Sequence, residues 1–197
     1  MKKLFFTAAI AVLGFTSVNA QEDVTVKGFE KGDVFISGAV GFGTEKTGDL
    51  DSNVFNIAPK AGYFVSNNIA VGLQAGFTSL SSDDNGVDTV DSNEYSVGAF
   101  GRYYFTPATQ FSLFTELGVD YTSGDNKLTD IGYDGFDIAF APGISYFVSK
   151  NFAIEASVGV LGYSTSEADF DGAESTDNFD VGLNLNDINF GVVYKFN

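Results

Sequence analysis

A two-residue period runs through most of this chain and restricts its fold more than any other feature. From position 55 the odd residues read Phe55, Ile57, Pro59, Ala61, Tyr63 and Val65, and the even ones Asn56, Ala58, Lys60, Gly62 and Phe64. Successive side chains of a strand point to opposite faces, so this alternation describes a strand with one apolar face. It recurs over about 33–43, 69–80, 94–105, 111–122, 136–148, 152–163 and 184–196. Eight strands of roughly ten to thirteen residues are therefore predicted, and no segment carries a convincing helical period.

The connections alternate in length. Ser66-Asn67-Asn68, residues 106–110 and Ser149-Lys150-Asn151 are short, whereas 44–53, 81–93, 123–135 and 165–181 read as long loops. Pairing Val65 with Ile69, and Val148 with Phe152, keeps the apolar sets on one side of the sheet, and a one-residue slip would invert a strand. Residues 58–70 and 141–153 repeat one another closely, from Ala58-Pro59 and Ala141-Pro142 to Ile69-Ala70 and Phe152-Ala153. Proline removes a ladder donor, so the equivalent Pro59 and Pro142 suggest a repeated bulge.

Which face meets which solvent decides the class. One face gathers residues such as Ile36, Leu73, Val97, Leu117, Ile138, Ile154 and Val192, with no charge within the strands. The opposite face is small and polar, including Ser37, Gly41, Gly72, Gln74, Ser96, Gly98 and Ser157. Lys60, Arg102, Glu116, Asp120, Asp137, Glu155 and Lys195 are scattered through it. A soluble, lipocalin-like ligand-binding barrel would put the apolar face inside, but eight strands enclose too little volume for so many large side chains. A barrel with its apolar face in lipid needs tilted strands of about 9–11 residues and aromatic girdles at the interfaces. Tyr63, Tyr95, Tyr103, Phe111, Tyr121 and Tyr146 sit near strand ends accordingly. The expected fold is an all-β, eight-stranded antiparallel up-and-down transmembrane β-barrel.

The first twenty residues read as an address. Lys2 and Lys3 precede an apolar run from Leu4 to Phe15, and Val18-Asn19-Ala20 follows a small-x-small cleavage pattern. These are the three parts of a secretory signal peptide, and the run is shorter than a spanning helix needs. The organisation expected is a signal peptide over 1–20, an N-terminal periplasmic segment over 21–32 and a barrel over 33–197.

Composition narrows the function. The 197 residues carry 10 Lys and Arg against 26 Asp and Glu, a formal charge of -16, which argues against nucleic acid as a partner. There is neither His nor Cys, which removes the commonest general base, thiol nucleophiles and thiolate metal sites. Gly41-Phe42-Gly43-Thr44-Glu45-Lys46-Thr47 lacks the glycine before the lysine and the following helix of a phosphate loop. No enzymatic activity, cofactor or dedicated metal centre is expected.

The signal segment, eight alternating strands, alternating connection lengths and closing segment Ile188-Asn189-Phe190-Gly191-Val192-Val193-Tyr194-Lys195-Phe196 resemble the small OmpA/OmpX-like outer-membrane β-barrels of Gram-negative bacteria. The resemblance covers about residues 33–197. It implies residence in the outer membrane, contact with its lipid, and insertion by the barrel-insertion machinery reading an aromatic closing strand, here Tyr194 and Phe196. Asn197 departs from the usual terminal aromatic. No peptidoglycan-binding domain is recognised after the barrel. The resemblance implies a role in envelope integrity or surface interaction, with a small porin or channel as the alternative.

Two groups of charges remain. Lys60, Arg102, Glu116, Glu155 and Lys195 are expected to plug the narrow lumen in pairs, Arg102 with Glu116 or Glu155 and Lys195 with Glu155. The four long segments hold sixteen acids against Lys46 and Lys127. They are expected to be solvated outer loops that could contact surface ligands or divalent cations, although none has the spacing of an EF-hand loop. Export is expected to cleave after Ala20 and leave Gln21 at the mature N-terminus. The intact mass of the exported protein checks this, and a mass retaining residues 1–20 contradicts it.

Overall fold

The computed structural model describes residues 26–182 and 188–196, so the signal-peptide reading lies outside the described residues. The strands are β1 (Val34–Thr47), β2 (Leu50–Phe64), β3 (Ile69–Asp84), β4 (Val87–Tyr104) and β5 (Phe111–Asn126). They continue as β6 (Ile131–Phe147), β7 (Phe152–Val158), β8 (Leu161–Ala168), β9 (Thr176–Val181) and β10 (Ile188–Phe196). Every pairing is antiparallel. β7 and β8 both pair with β6 and make one stave, and β9 and β10 pair with β8 and β7 respectively and make the next. β5 pairs with β6, and β1 pairs with β10 from Val34↔Phe196 to Gly38↔Val192. The result is a closed, eight-staved antiparallel barrel with no helix among the described residues.

The strands outrun their predicted lengths. β1 to β6 span 14 to 18 residues, because most of the segments read as long loops are hairpins. β1 passes to β2 through Gly48-Asp49, and β3 to β4 through Asn85-Gly86. Asn85 and Gly86 both have positive φ, 53° and 77°, as a type I′ hairpin turn requires. Polar composition misled the reading, because ladder hydrogen bonds belong to the backbone and persist with Ser, Asn and Asp along the strands. Residues 169–175 do lie outside the strands, between β8 and β9.

The expected repeated bulge occurs only at the second proline. Between Phe140↔Leu161 and Gly143↔Ser157, β6 contributes Ala141 and Pro142 while its partner contributes Val158, Gly159 and Val160. At the first proline the β2–β3 ladder skips from Ile57↔Phe77 to Lys60↔Gln74 without changing register.

The apolar face is on the outside. Leu73 is 69% exposed and Val97 60%, while Phe100 between the outward positions of β4 is 4% exposed. The interior is more aromatic than predicted. Phe35, Phe64, Phe100, Tyr104, Phe114 and Phe147 are all buried there, where small residues and a few charges were expected. Glycine on the neighbouring strand makes the room. Phe35 pairs across the ladder with Gly62, Phe100 with Gly72 and Phe114 with Gly143. A Cβ on those glycines would stand 2.3 to 2.6 Å from the facing ring.

Leu73 lies in the middle of the outward apolar run of β3, whereas Val87 starts β4 at a hairpin tip. Arginine on a lipid face costs about 2–4 kcal/mol at the bilayer midplane and little near the interface. Leu73→Arg is therefore expected to destabilise the barrel by about that amount in vesicle unfolding titrations, with Val87→Arg within about 0.5 kcal/mol of the parent. Equal effects at the two positions contradict an outward lipid-facing band.

Candidate functional site

The chemistry-bearing side chains that the barrel brings together lie in its lumen, toward the three short turns. Arg102 on β4 is their centre. Its Nε bonds a Glu116 carboxylate oxygen, and its Nη1 bonds Glu155 Oε2 at 2.8 Å and the Tyr104 hydroxyl oxygen at 3.0 Å. Lys60 Nζ reaches the other Glu116 oxygen at 2.5 Å, and the Tyr104 hydroxyl donates to Glu155 Oε1 at 3.3 Å. Two cations and two carboxylates thus bridge β2, β4, β5 and β7 in one balanced layer. Arg102 and Glu155 are buried, with side chains 5% and 7% exposed. The guanidinium also lies 4.5 Å from the Phe114 ring centroid and 5.3 Å from that of Phe100. These aromatic faces contact a planar cation without competing for its hydrogen bonds.

Lys195 is placed elsewhere. The pairing with Glu155 expected from sequence is not made. Its Nζ instead donates to the Gly28 carbonyl oxygen at 2.6 Å and lies 3.6 Å from Asp33 Oδ2. The reason is an unforeseen element. Residues 26–32, read as part of the periplasmic segment 21–32, fold together with Asp33 into the short-turn mouth of the barrel. Phe29 is 1% exposed, and its ring centroid lies 4.6 Å from that of Phe64, 4.9 Å from Phe147, 5.3 Å from Tyr104 and 5.4 Å from Phe35.

Tyr194 and Phe196 lie outside, with their rings packed edge to face at 4.9 Å. Tyr194 also packs on Phe152 of β7 at 5.0 Å. β10 therefore presents an aromatic outer edge where it meets β1.

Farther from the short turns the lumen turns acidic. Asp120 and Asp137 are cross-strand partners, held by Gln74 Nε2 at 2.5 Å and Thr122 Oγ1 at 2.5 Å respectively. The Tyr133 hydroxyl donates to Glu94 at 2.7 Å. On the hairpins, Lys46 pairs with Asp51 and Lys127 with Asp91. Among the described residues no three acids converge on a point where they could hold a metal ion.

Comparison with known proteins gives this geometry its context. The family model of the outer membrane protein β-barrel domain matches residues 8–196. The chain belongs to this outer-membrane β-barrel family. Among solved structures, it is similar to the outer membrane protein OprG of Pseudomonas aeruginosa at 16% identity and a TM-score of 0.55. That match covers 86% of this chain and 98% of OprG. Neisserial surface protein A (NspA) matches at 15% identity and a TM-score of 0.47, covering 83% of this chain and 96% of that one. The N-terminal barrel of Pseudomonas aeruginosa OprF matches at 18% and 0.42, covering 84% and 98%. No curated protein matches in sequence. The OprG likeness supports the fold, and family membership places the barrel in the bacterial outer membrane.

Within this family barrel, sequence reasoning missed Tyr104, Phe29 and the aromatic ring around them. One signal was present. Tyr63-Phe64, Tyr103-Tyr104 and Tyr146-Phe147 are adjacent aromatic pairs, each at the short-turn end of a strand. Alternation sends the first of each pair outward and the second into the lumen.

Removing one partner of a buried charge pair costs about 3–5 kcal/mol, because the other charge is left uncompensated. Arg102→Met strands Glu155 and half of Glu116, so it is expected to destabilise the barrel by about that much. A second change, Glu155→Gln, should recover part of the loss. Urea unfolding midpoints of the single and double variants check this, and additive losses contradict the pairing.

Proposed function

We propose that this chain is exported by its signal segment and inserted into the outer membrane as a non-enzymatic barrel. In this reading the lumen is closed by its own charges, and the acidic hairpins form the cell-surface face that serves envelope integrity or surface contact. The observation that carries the proposal is the balanced Lys60–Glu116–Arg102–Glu155 layer across the lumen. An eight-stranded interior is only wide enough for its own side chains, and a layer satisfied among itself leaves no open aqueous path at that depth. The outward apolar band argues against the soluble ligand-binding alternative.

Eight staves return the chain to its starting side, and outer-membrane barrels keep short turns in the periplasm and longer hairpins outside. The hairpins then carry most of the negative charge into the medium, where it is solvated and screened. Insertion through the closing strand would use the outer aromatic edge of Tyr194 and Phe196.

The chain has no cysteine, so single cysteines report position cleanly. Asp88→Cys or Glu174→Cys is expected to react with an impermeant maleimide on intact cells, and Asn67→Cys only after the outer membrane is opened. The reverse pattern inverts the topology. Purified barrels in planar bilayers should show little steady conductance, and steady conductance favours the channel reading instead.

A further inference from the structure

The segment before β1 makes contacts that a passive leader would not make. Gly28 N–H donates to the Ala108 carbonyl at 3.2 Å and Phe29 N–H to the Pro107 carbonyl at 2.6 Å, both in the β4–β5 turn. At its other end, Gly32 N–H and Phe64 N–H exchange bonds with the Phe64 and Asp33 carbonyls at 2.9 Å each. In an eight-staved ring, the β4–β5 turn stands opposite the β1–β10 seam. Residues 26–33 therefore cross the whole mouth, with Phe29 seated among four rings. Gly28 passes so close to the turn that a Cβ there would fall 1.8 Å from the Pro107 oxygen.

Two features make this a separable piece. Among the described residues its only charged tie to the barrel interior is Lys195, which holds Gly28 O and Asp33 and is 6% exposed. A cleft of about 490 Å³ also lies between it and the neighbouring turns, lined by Phe29, Glu30 and Lys31 on one side and Asn67, Asn68, Pro107 and Ala108 on the other. The barrel closes through Val34–Gly38 and Val192–Phe196, both outside the crossing segment.

We propose that residues 26–33 are a releasable strap that stoppers the short-turn mouth, with Phe29 as the plug and Lys195 as the latch. Released, the strap exposes the ring of Phe35, Phe64, Tyr104 and Phe147 and admits water to Glu155 and Ser145 behind it. The inference rests on the closed-lumen reading above and adds a second seal, one that moves as a unit.

Ser145 is a suitable reporter. It is 1% exposed, pairs with Glu155 across the ladder, and among the described residues its Oγ has no hydrogen-bond partner to lose. Ser145→Cys barrels in detergent micelles are treated with aminoethyl methanethiosulfonate, alone and combined with Lys195→Met or Phe29→Ala. Lys195→Met is the decisive variant, because it leaves every ring in place. Heat-dependent gel migration in the same samples reports whether each barrel is folded. The expected result is no labelling in the parent and labelling at least tenfold faster in the folded variants. Fast labelling of the parent overturns the proposal, as does protection persisting in every folded variant. Unfolding of both variants also overturns it, since the strap would then be part of the barrel wall's stability rather than a stopper. Micelle labelling is independent of cellular location and conductance, so its failure and failure of the closed-barrel reading are told apart.

Discussion

A backbone that crosses hydrocarbon finds no water to bond, so each peptide group must be satisfied within the protein. For strands the only solution is a closed ring, and among the described residues closure rests on five residue pairs between β1 and β10, from Val34↔Phe196 to Gly38↔Val192. The remaining architecture follows from that requirement. Closure with eight staves fixes a narrow lumen, and a narrow lumen forces the inward side chains to satisfy one another. Asp33 lies just before β1 and Lys195 on β10, so the ion pair between them ties the crossing segment 26–33 to the barrel beside the seam.

The same residue types then divide by depth. Glu116 and Glu155 share Lys60 and Arg102 in a buried layer, where an unpaired carboxylate would be costly. Glu167, Asp171 and Glu174 carry like charge in or beside the β8–β9 hairpin with no such partner among the described residues, because water solvates them there. Arg102 is suited to the centre in ways lysine would not be. Its planar fork addresses two carboxylates and a hydroxyl at once, and its face rests on Phe114.

Strand number, the direction of the apolar face and the β2–β3 register were all legible in the sequence: setting Val65 opposite Ile69 puts Lys60 across from Gln74, as observed. What filled the lumen was harder to read. Alternation says which face a residue takes but not how much space is free, and that depends on the neighbour. Phe100 fits inside because Gly72 stands beside it, a relation between residues 28 positions apart that only pairing reveals. The strap was invisible for another reason. Val26 to Asp33 has no period, so nothing local distinguishes Phe29 as a plug from a residue in a linker.

The bulge opposite Pro142 has its cause in the hydrophobic phase of its own stave. In β7 the outward residues are Phe152 and Ile154, at even positions, whereas in β8 they are Leu161 and Tyr163, at odd positions. An unbroken strand would turn one of these pairs into the lumen. The extra residue among Val158, Gly159 and Val160 shifts the phase by one, keeping Leu161 and Tyr163 outside while Gly162 and Ser164 line the interior. Pro142 tolerates the break because it has no N–H to leave unpaired. At Pro59 the facing strand β3 keeps one phase throughout, with Leu73 and Phe77 both at odd positions, so the same proline in a near-identical segment needs no bulge. Register in this barrel is therefore set by the strand opposite the proline and not by the repeated segment itself.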